Sequence, residues 1–227
     1  MNAQRSHPLI GIGLMLSAMA ILPFLDVVAK FLGQQGVPIL QIVWGRMFFG
    51  TLMTLPFALK LAGPARLLPN MPLMHGMRAI FLIAATGFFF WALTFMSIAD
   101  CLSIFFVQPL IVTMLSPLVL GETVGIRRWM AVVIGFIGTL IIIRPGFQEI
   151  NPGVFLALGA GTSLAIYMLL TRKIAGSADA MVTTYYTSLS GALIMTAIIV
   201  FTWQEITPAQ WGLLALLAFI ATFGHYL

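Results

Sequence analysis

Along this chain, long apolar runs alternate with short polar interruptions. About 20 residues suffice for a helix to cross the hydrocarbon layer of a bilayer. On that scale the runs predict eight helices, at 9–32, 38–60, 79–98, 102–120, 129–144, 153–171, 181–202 and 209–227. The third and fourth come from one stretch of low polarity, 78–120, too long for a single crossing, and Asp100 in the segment SIADC marks the turn between them.

Composition agrees with the pattern. Hydrophobic residues make up 61% of the chain and charged residues 7%, against about 25% charged in a soluble domain, and the mean hydropathy is +1.07. The fold class expected is an all-α polytopic membrane protein. Cys101, the single cysteine, permits no disulfide within the chain and has no metal-ligand spacing around it. Arg5, an apolar stretch and the small-residue run SAMA resemble a leader, but the spans that follow make this segment the first membrane helix.

Basic residues set the orientation, because short loops rich in Lys and Arg stay on the cytoplasmic side. A cytoplasmic N-terminus puts Arg5, Lys60, Arg66, Arg78, Arg127, Arg128, Arg172 and Lys173 on that side; Lys30 and Arg144 lie near the other face and Arg46 within a span. The net charge of +5 then reflects topology and contact with anionic lipid of the inner leaflet, and calls for no nucleic acid.

An internal repeat accompanies the pattern. GIGLMLSAMAILPFLDVVAK at 11–30 aligns without gaps on GVFLALGAGTSLAIYMLLTR at 153–172, and LIAATGFFF from Leu82 resembles FIATFGHYL from Phe219. A five-helix unit inverts its second copy relative to the first, and inverted repeats with a site at their interface are a recurring plan of secondary transporters. The units expected are 1–146, with helices one to five, and 151–227, with helices six to eight. Copies of helices four and five would follow Leu227, so the chain is expected to hold eight helices of ten, as a truncated sequence or as a short variant that works with a partner.

Three stretches carry a family resemblance: DVVAKFL at 26–32, IVWGRMFFG at 42–50, and SPLVLGETVGIRRWMAVVIGFIGTLIIIRPG at 116–146. They resemble the EamA-type transporters of the drug/metabolite transporter superfamily. The resemblance implies ten helices in two inverted repeats, a central cavity and both termini cytoplasmic. It leaves the solute, and the direction of its movement, open among amino acids, nucleosides, cofactors and drugs.

Polar residues inside the spans are the candidate pathway, since intramembrane charges are costly and mark function by default. Asp26 and Arg46 lie at matching depth, roughly 10 to 12 Å from the outer ends of helices one and two by the rise of an α-helix, and are expected to pair across them. Lys30, one turn further out, snorkels or joins the network. The same pair would also serve as a structural bridge. Trp44, Trp91, Tyr167, Tyr185 and Tyr186 are candidate cavity walls, although aromatic residues near span ends more often anchor at the interface. Gln108 is a neutral hydrogen-bonding candidate beside Pro109, which is expected to kink helix four.

Gly135, Gly138 and the run GAGTS at 159–163 are expected packing surfaces. Glu122 reads as a loop acid pairing with neighbouring arginines, and His225 as incidental. Six acids and three histidines, scattered along the chain, do not form a catalytic cluster. The function expected is a secondary transporter of a small organic metabolite or drug in the cytoplasmic membrane, not an enzyme and without a cofactor or metal. Its partners are the solute and membrane lipid, with room for a homodimer. The alternatives are a membrane-embedded enzyme acting on lipid-linked substrates and a non-transporting subunit.

Overall fold

The computed structural model describes residues 8–64, 67–143 and 151–226. Arg5, Arg66, Arg144 and the side chain of His225 lie outside the described residues. The described chain is helical throughout, in the order α1 (Pro8–Gln34), α2 (Ile39–Ala62), α3 (Pro72–Ala92), α4 (Ile98–Phe105), α5 (Gln108–Leu120), α6 (Ile126–Ile143), α7 (Pro152–Lys173), α8 (Ala180–Ile199) and α9 (Pro208–Tyr226). Five segments among the described residues are long and apolar enough to cross a membrane, namely α2, α3, α4 with α5, α7 and α8.

Local chemistry sets the helix ends. Pro72 and Pro152 occupy first helical positions, where the missing N–H costs nothing and φ is already helical. Asn151 accepts from the Gly153 N–H at 2.8 Å and Asp179 from the Met181 N–H at 2.8 Å, satisfying donors that a helix start leaves open. Gly121 ends α5 at φ 69°, a left-handed conformation that glycine adopts without a Cβ clash.

Asn151 also donates to the Phe95 carbonyl at 2.8 Å, so it ties the α3–α4 turn to the start of α7. Asn151→Ala is expected to lower stability by about 1 kcal/mol. Thermal unfolding of the purified protein measures it, and Asn151→Asp, which keeps the cap acceptor but loses the amide donor, should recover part of the loss.

Two expectations are corrected. The third helix begins at Pro72 and not near residue 79, which puts Arg78 inside α3 and 2% exposed, not in a loop. The turn after α3 spans 93–97, and Asp100 sits in the first turn of α4, its N–H bound to Ser97 Oγ at 3.1 Å. A carboxylate there is favoured by the partial positive charge of the helix start.

The kink expected at Pro109 is a complete break at Phe106 and Val107 between α4 and α5. Proline has no N–H to return to the carbonyl of residue 105, and its ring collides with that carbonyl in a continuous helix. The released Phe105 oxygen lies against Gly161 of α7, where a Cβ would come within 2.9 Å of it.

Helices α2, α3, α7, α8 and α9 form the centre of the bundle, with α1 laid on α9 and α6 on α5. Exchanging α1 with α7, α2 with α8 and α3 with α9 maps the main contacts onto one another. The α1–α9 contact becomes α7–α3, α2–α9 becomes α8–α3, and α2–α8 maps onto itself. Two of these exchanges, α1 with α7 and α3 with α9, are the ones that the sequence repeat relates. Helix α6 leaves Ile126, Met130, Ile134, Ile137 and Ile141 exposed, an apolar stripe suited to lipid.

Candidate functional site

A cavity of about 380 Å³ lies where the central helices meet. Its walls are Arg46 of α2, Leu82 of α3, Tyr167 of α7, Thr187 and Ser188 of α8 and Thr222 of α9. It extends through Thr171, Arg172 and Thr184 toward the basic end of the bundle, the end that carries Lys60, Arg127, Arg128 and Lys173. Small residues let these helices close around it: a Cβ on Gly50 would stand 3.3 Å from Ser188 Oγ, and one on Gly191 2.9 Å from Met47 Sδ.

Arg46 does not form the expected ion pair with Asp26. Its Nη1 donates to Thr86 Oγ1 instead, and Asp26 lies only within electrostatic reach. The sole ion pair among the described residues joins Arg172 Nη2 to Glu122 Oε1 at 3.0 Å. Both side chains there are exposed, so the pair contributes at most about 1 kcal/mol. Depth counted along two spans matched Asp26 to Arg46, but α1 packs mainly on α9 and touches α2 little, and the two groups form no ion pair.

Behind the cavity wall sits Arg78, which sequence reasoning assigned to a loop. Its Nη2 donates to Thr187 Oγ1 at 2.5 Å and to the Thr183 carbonyl at 3.3 Å. Its guanidinium lies 5.1 Å from the centre of the Tyr167 ring, a cation–π distance. Nε and Nη1 of Arg78 have no acceptor, and neither has Nδ1 of His75 one turn earlier, while His75 Nε2 lies 3.2 Å from Ser177 Oγ. Among the described residues these three are the only buried side-chain nitrogens or oxygens without a partner. The signal that could have found them was the early helix start at Pro72, which draws His75 and Arg78 into the bundle.

At the opposite end the bundle is plugged by aromatic rings. Trp44 stacks on Phe48 at 4.8 Å and meets Trp203 and Trp211 edge-on at 5.3 and 6.0 Å. Its indole Nε1 donates to Thr196 Oγ1 at 2.9 Å. Gln41, fully buried, donates to the Gln204 carbonyl at 3.0 Å and accepts from the Gln204 N–H at 3.3 Å, fastening α2 to the α8–α9 connection. Trp44 therefore belongs to the plug, not to the cavity wall.

The remaining candidates are spread out. Lys30 donates to the Met96 carbonyl at 3.0 Å beside a second cavity of about 500 Å³ at the plugged end. Trp91 is 50% exposed beside an apolar cavity of about 420 Å³ lined by α2, α3 and Met195 of α8. Gln108 donates to Met168 Sδ at 2.6 Å, one layer behind the central cavity. Tyr185 packs against Ala58 and Met181, and Tyr186 meets His75 edge-on at 6.1 Å. Only Arg46 and Tyr167 of the candidate set line the central cavity.

Residues 9–144, more than half of the chain, match the EamA-like transporter family. The chain belongs to the EamA-like transporter family. An S-adenosylmethionine uptake transporter of Rickettsia prowazekii is 25% identical over 202 residues, which cover 89% of this chain and 67% of that protein. A riboflavin transporter of Vibrio cholerae is 30% identical over 173 residues, covering 75% of this chain and 58% of the relative. An uncharacterized transporter of Archaeoglobus fulgidus is 28% identical over 147 residues, or 64% and 51% of the two chains. This EamA-like protein is thus a multi-pass membrane protein similar to transporters of small metabolites, and the likeness points away from an enzyme.

Proposed function

We propose that this EamA-like protein carries a small organic metabolite across the cytoplasmic membrane by alternating access, with the central cavity as its binding site. The observation that carries this reading is the cavity's position. It lies at the α2–α8 contact, the one that the helix exchange maps onto itself, and reaches the basic end, while Trp44, Trp203 and Trp211 pack together at the other end of the bundle. A site at the interface of two inverted repeats, closed on one side at a time, is what alternating access requires.

The exchange of helix contacts supports units at 1–146 and 151–227. The basic loops support a cytoplasmic basic end, with the N-terminus on the same side. In that orientation the cavity faces the cytoplasm. S-adenosylmethionine and riboflavin, named for relatives of this chain, are the first solutes to test.

Purified protein in liposomes is expected to take up one of these two radiolabelled solutes saturably, and Arg46→Ala to slow that uptake at least about tenfold, the effect of roughly 1.4 kcal/mol of lost binding. Uptake of both no faster than in protein-free liposomes, by protein that is monodisperse in detergent, would overturn the proposal.

A further inference from the structure

Among the described residues, the walls of the central cavity contain cationic, hydroxyl and apolar side chains but no carboxylate. Arg46 stands on the wall and Arg78 directly behind it, sharing Thr187 and Tyr167 with the cavity. Arginine keeps its charge in proteins. Arg172 at the mouth is matched by Glu122 at 3.0 Å, and Asp26 offsets at most one of the two inner guanidiniums. The interior therefore holds a surplus of at least one positive charge, whether or not Asp26 carries a proton.

An uncompensated buried charge is costly in a membrane protein. The cost is sharpened because Nε and Nη1 of Arg78 lack acceptors in a side chain that is 2% exposed. Structural packing does not account for this: Arg78 is fixed by Thr183, Thr187 and Tyr167, yet none of them is an anion. The cation that a negative group in the cavity can reach is Arg46, on its wall, with Arg78 behind Thr187 and Tyr167 adding charge at longer range.

Resting on the transport function proposed above, we propose that the solute bears an anionic group of the carboxylate or phosphate class that docks against Arg46, beside Thr187, whose own hydroxyl proton is given to the Thr183 carbonyl at 2.7 Å. Arg78 serves as a positioning residue, holding Thr187 and supplying positive potential from behind Tyr167. Desolvated guanidinium–oxyanion contacts are the strong kind of hydrogen bond.

The test uses the purified full chain and two probes, sodium phosphate and sodium acetate, each titrated against sodium chloride at constant ionic strength while thermal unfolding is followed. At least one probe is expected to raise the melting temperature saturably by several degrees. Arg46→Gln and Arg78→Gln should each raise the half-saturating concentration at least tenfold, whereas Arg78→Lys, which keeps the charge, should stay within threefold of the parent. Thr187→Val, which removes only the hydroxyl, supplies the comparison should a Gln variant fail to fold.

No saturable rise with either probe, or an equal rise in parent and variants, would overturn the anion site. The liposome assay separates the two proposals: S-adenosylmethionine carries a carboxylate and riboflavin neither a carboxylate nor a phosphate, so uptake of riboflavin alone keeps the transporter and overturns the anion site. Solute uptake that neither phosphate nor acetate inhibits keeps the transporter and overturns the anion site. Saturable anion binding without uptake of any solute keeps the anion site and overturns transport.

Discussion

Trp44→Ala is expected to cost about 3 to 5 kcal/mol of stability, the usual range for deleting a buried aromatic side chain, and to open the plugged end of the bundle. The indole is the hub of the aromatic plug, touching Phe48, Trp203 and Trp211. It also satisfies Thr196 through a 2.9 Å hydrogen bond. Truncation removes three ring contacts and leaves a void that rigid helix backbones cannot collapse to fill. Trp44→Phe keeps a ring but not the N–H, so it should lose less stability.

Opening is measured with a cysteine placed at Ala192, which is buried one turn deeper on α8 than Thr196, in a Cys101→Ala background. A membrane-impermeant maleimide added from the plugged side should label it at least ten times faster when Trp44 is alanine. Equal labelling with and without the indole would show that Trp44 fills space without closing a path. Gln41 and Gln204 are separate from the rings, and their paired bonds at 3.0 and 3.3 Å should keep α2 attached to the α8–α9 connection in either case.

Gly161→Ala is the second large effect, with an expected loss of about 1 to 3 kcal/mol from overpacking. A Cβ there would meet the Phe105 carbonyl oxygen at 2.9 Å and Val107 Cγ1 at 3.0 Å. The oxygen is backbone and is held by the break that Pro109 imposes, so it cannot swing aside as a side chain would. Two neighbouring substitutions calibrate the measurement. Gly159→Ala meets only the Phe88 ring, at 3.3 Å, and Gly138→Ala meets nothing within 4 Å. Thermal unfolding in one detergent should rank the losses as Gly161 well above Gly159, with Gly138→Ala neutral or stabilising because alanine favours a helix. A loss at Gly138 as large as at Gly161 would rule out the close backbone contact as the cause.

The small-residue run GAGTS was legible as a packing surface because close helix approach needs small side chains wherever it occurs. Its partner was not legible, since the span 102–120, even with a kink expected at Pro109, does not say which helix the freed carbonyl would face. The candidate site divides in the same way. Arg46 and Tyr167 stood out as polar or aromatic groups well inside spans, and both line the cavity. Lys30 and Trp91 drew attention by the same criteria but lie at other cavities.

Run length and composition in the sequence alone determined that the chain is a polytopic helical membrane protein, because the thickness of hydrocarbon dictates how many apolar residues a crossing needs. The repeat and the EamA-like motifs were legible for a related reason, since they are linear patterns. Tertiary structure alone decided which charges meet. Depth along a helix can be counted from sequence, but the direction a side chain faces depends on which neighbours pack against that helix. Packing leaves Asp26 and Arg46 without an ion pair, draws Arg78 out of the basic loop group into the protein interior, and places it behind the wall of the central cavity that Arg46 lines.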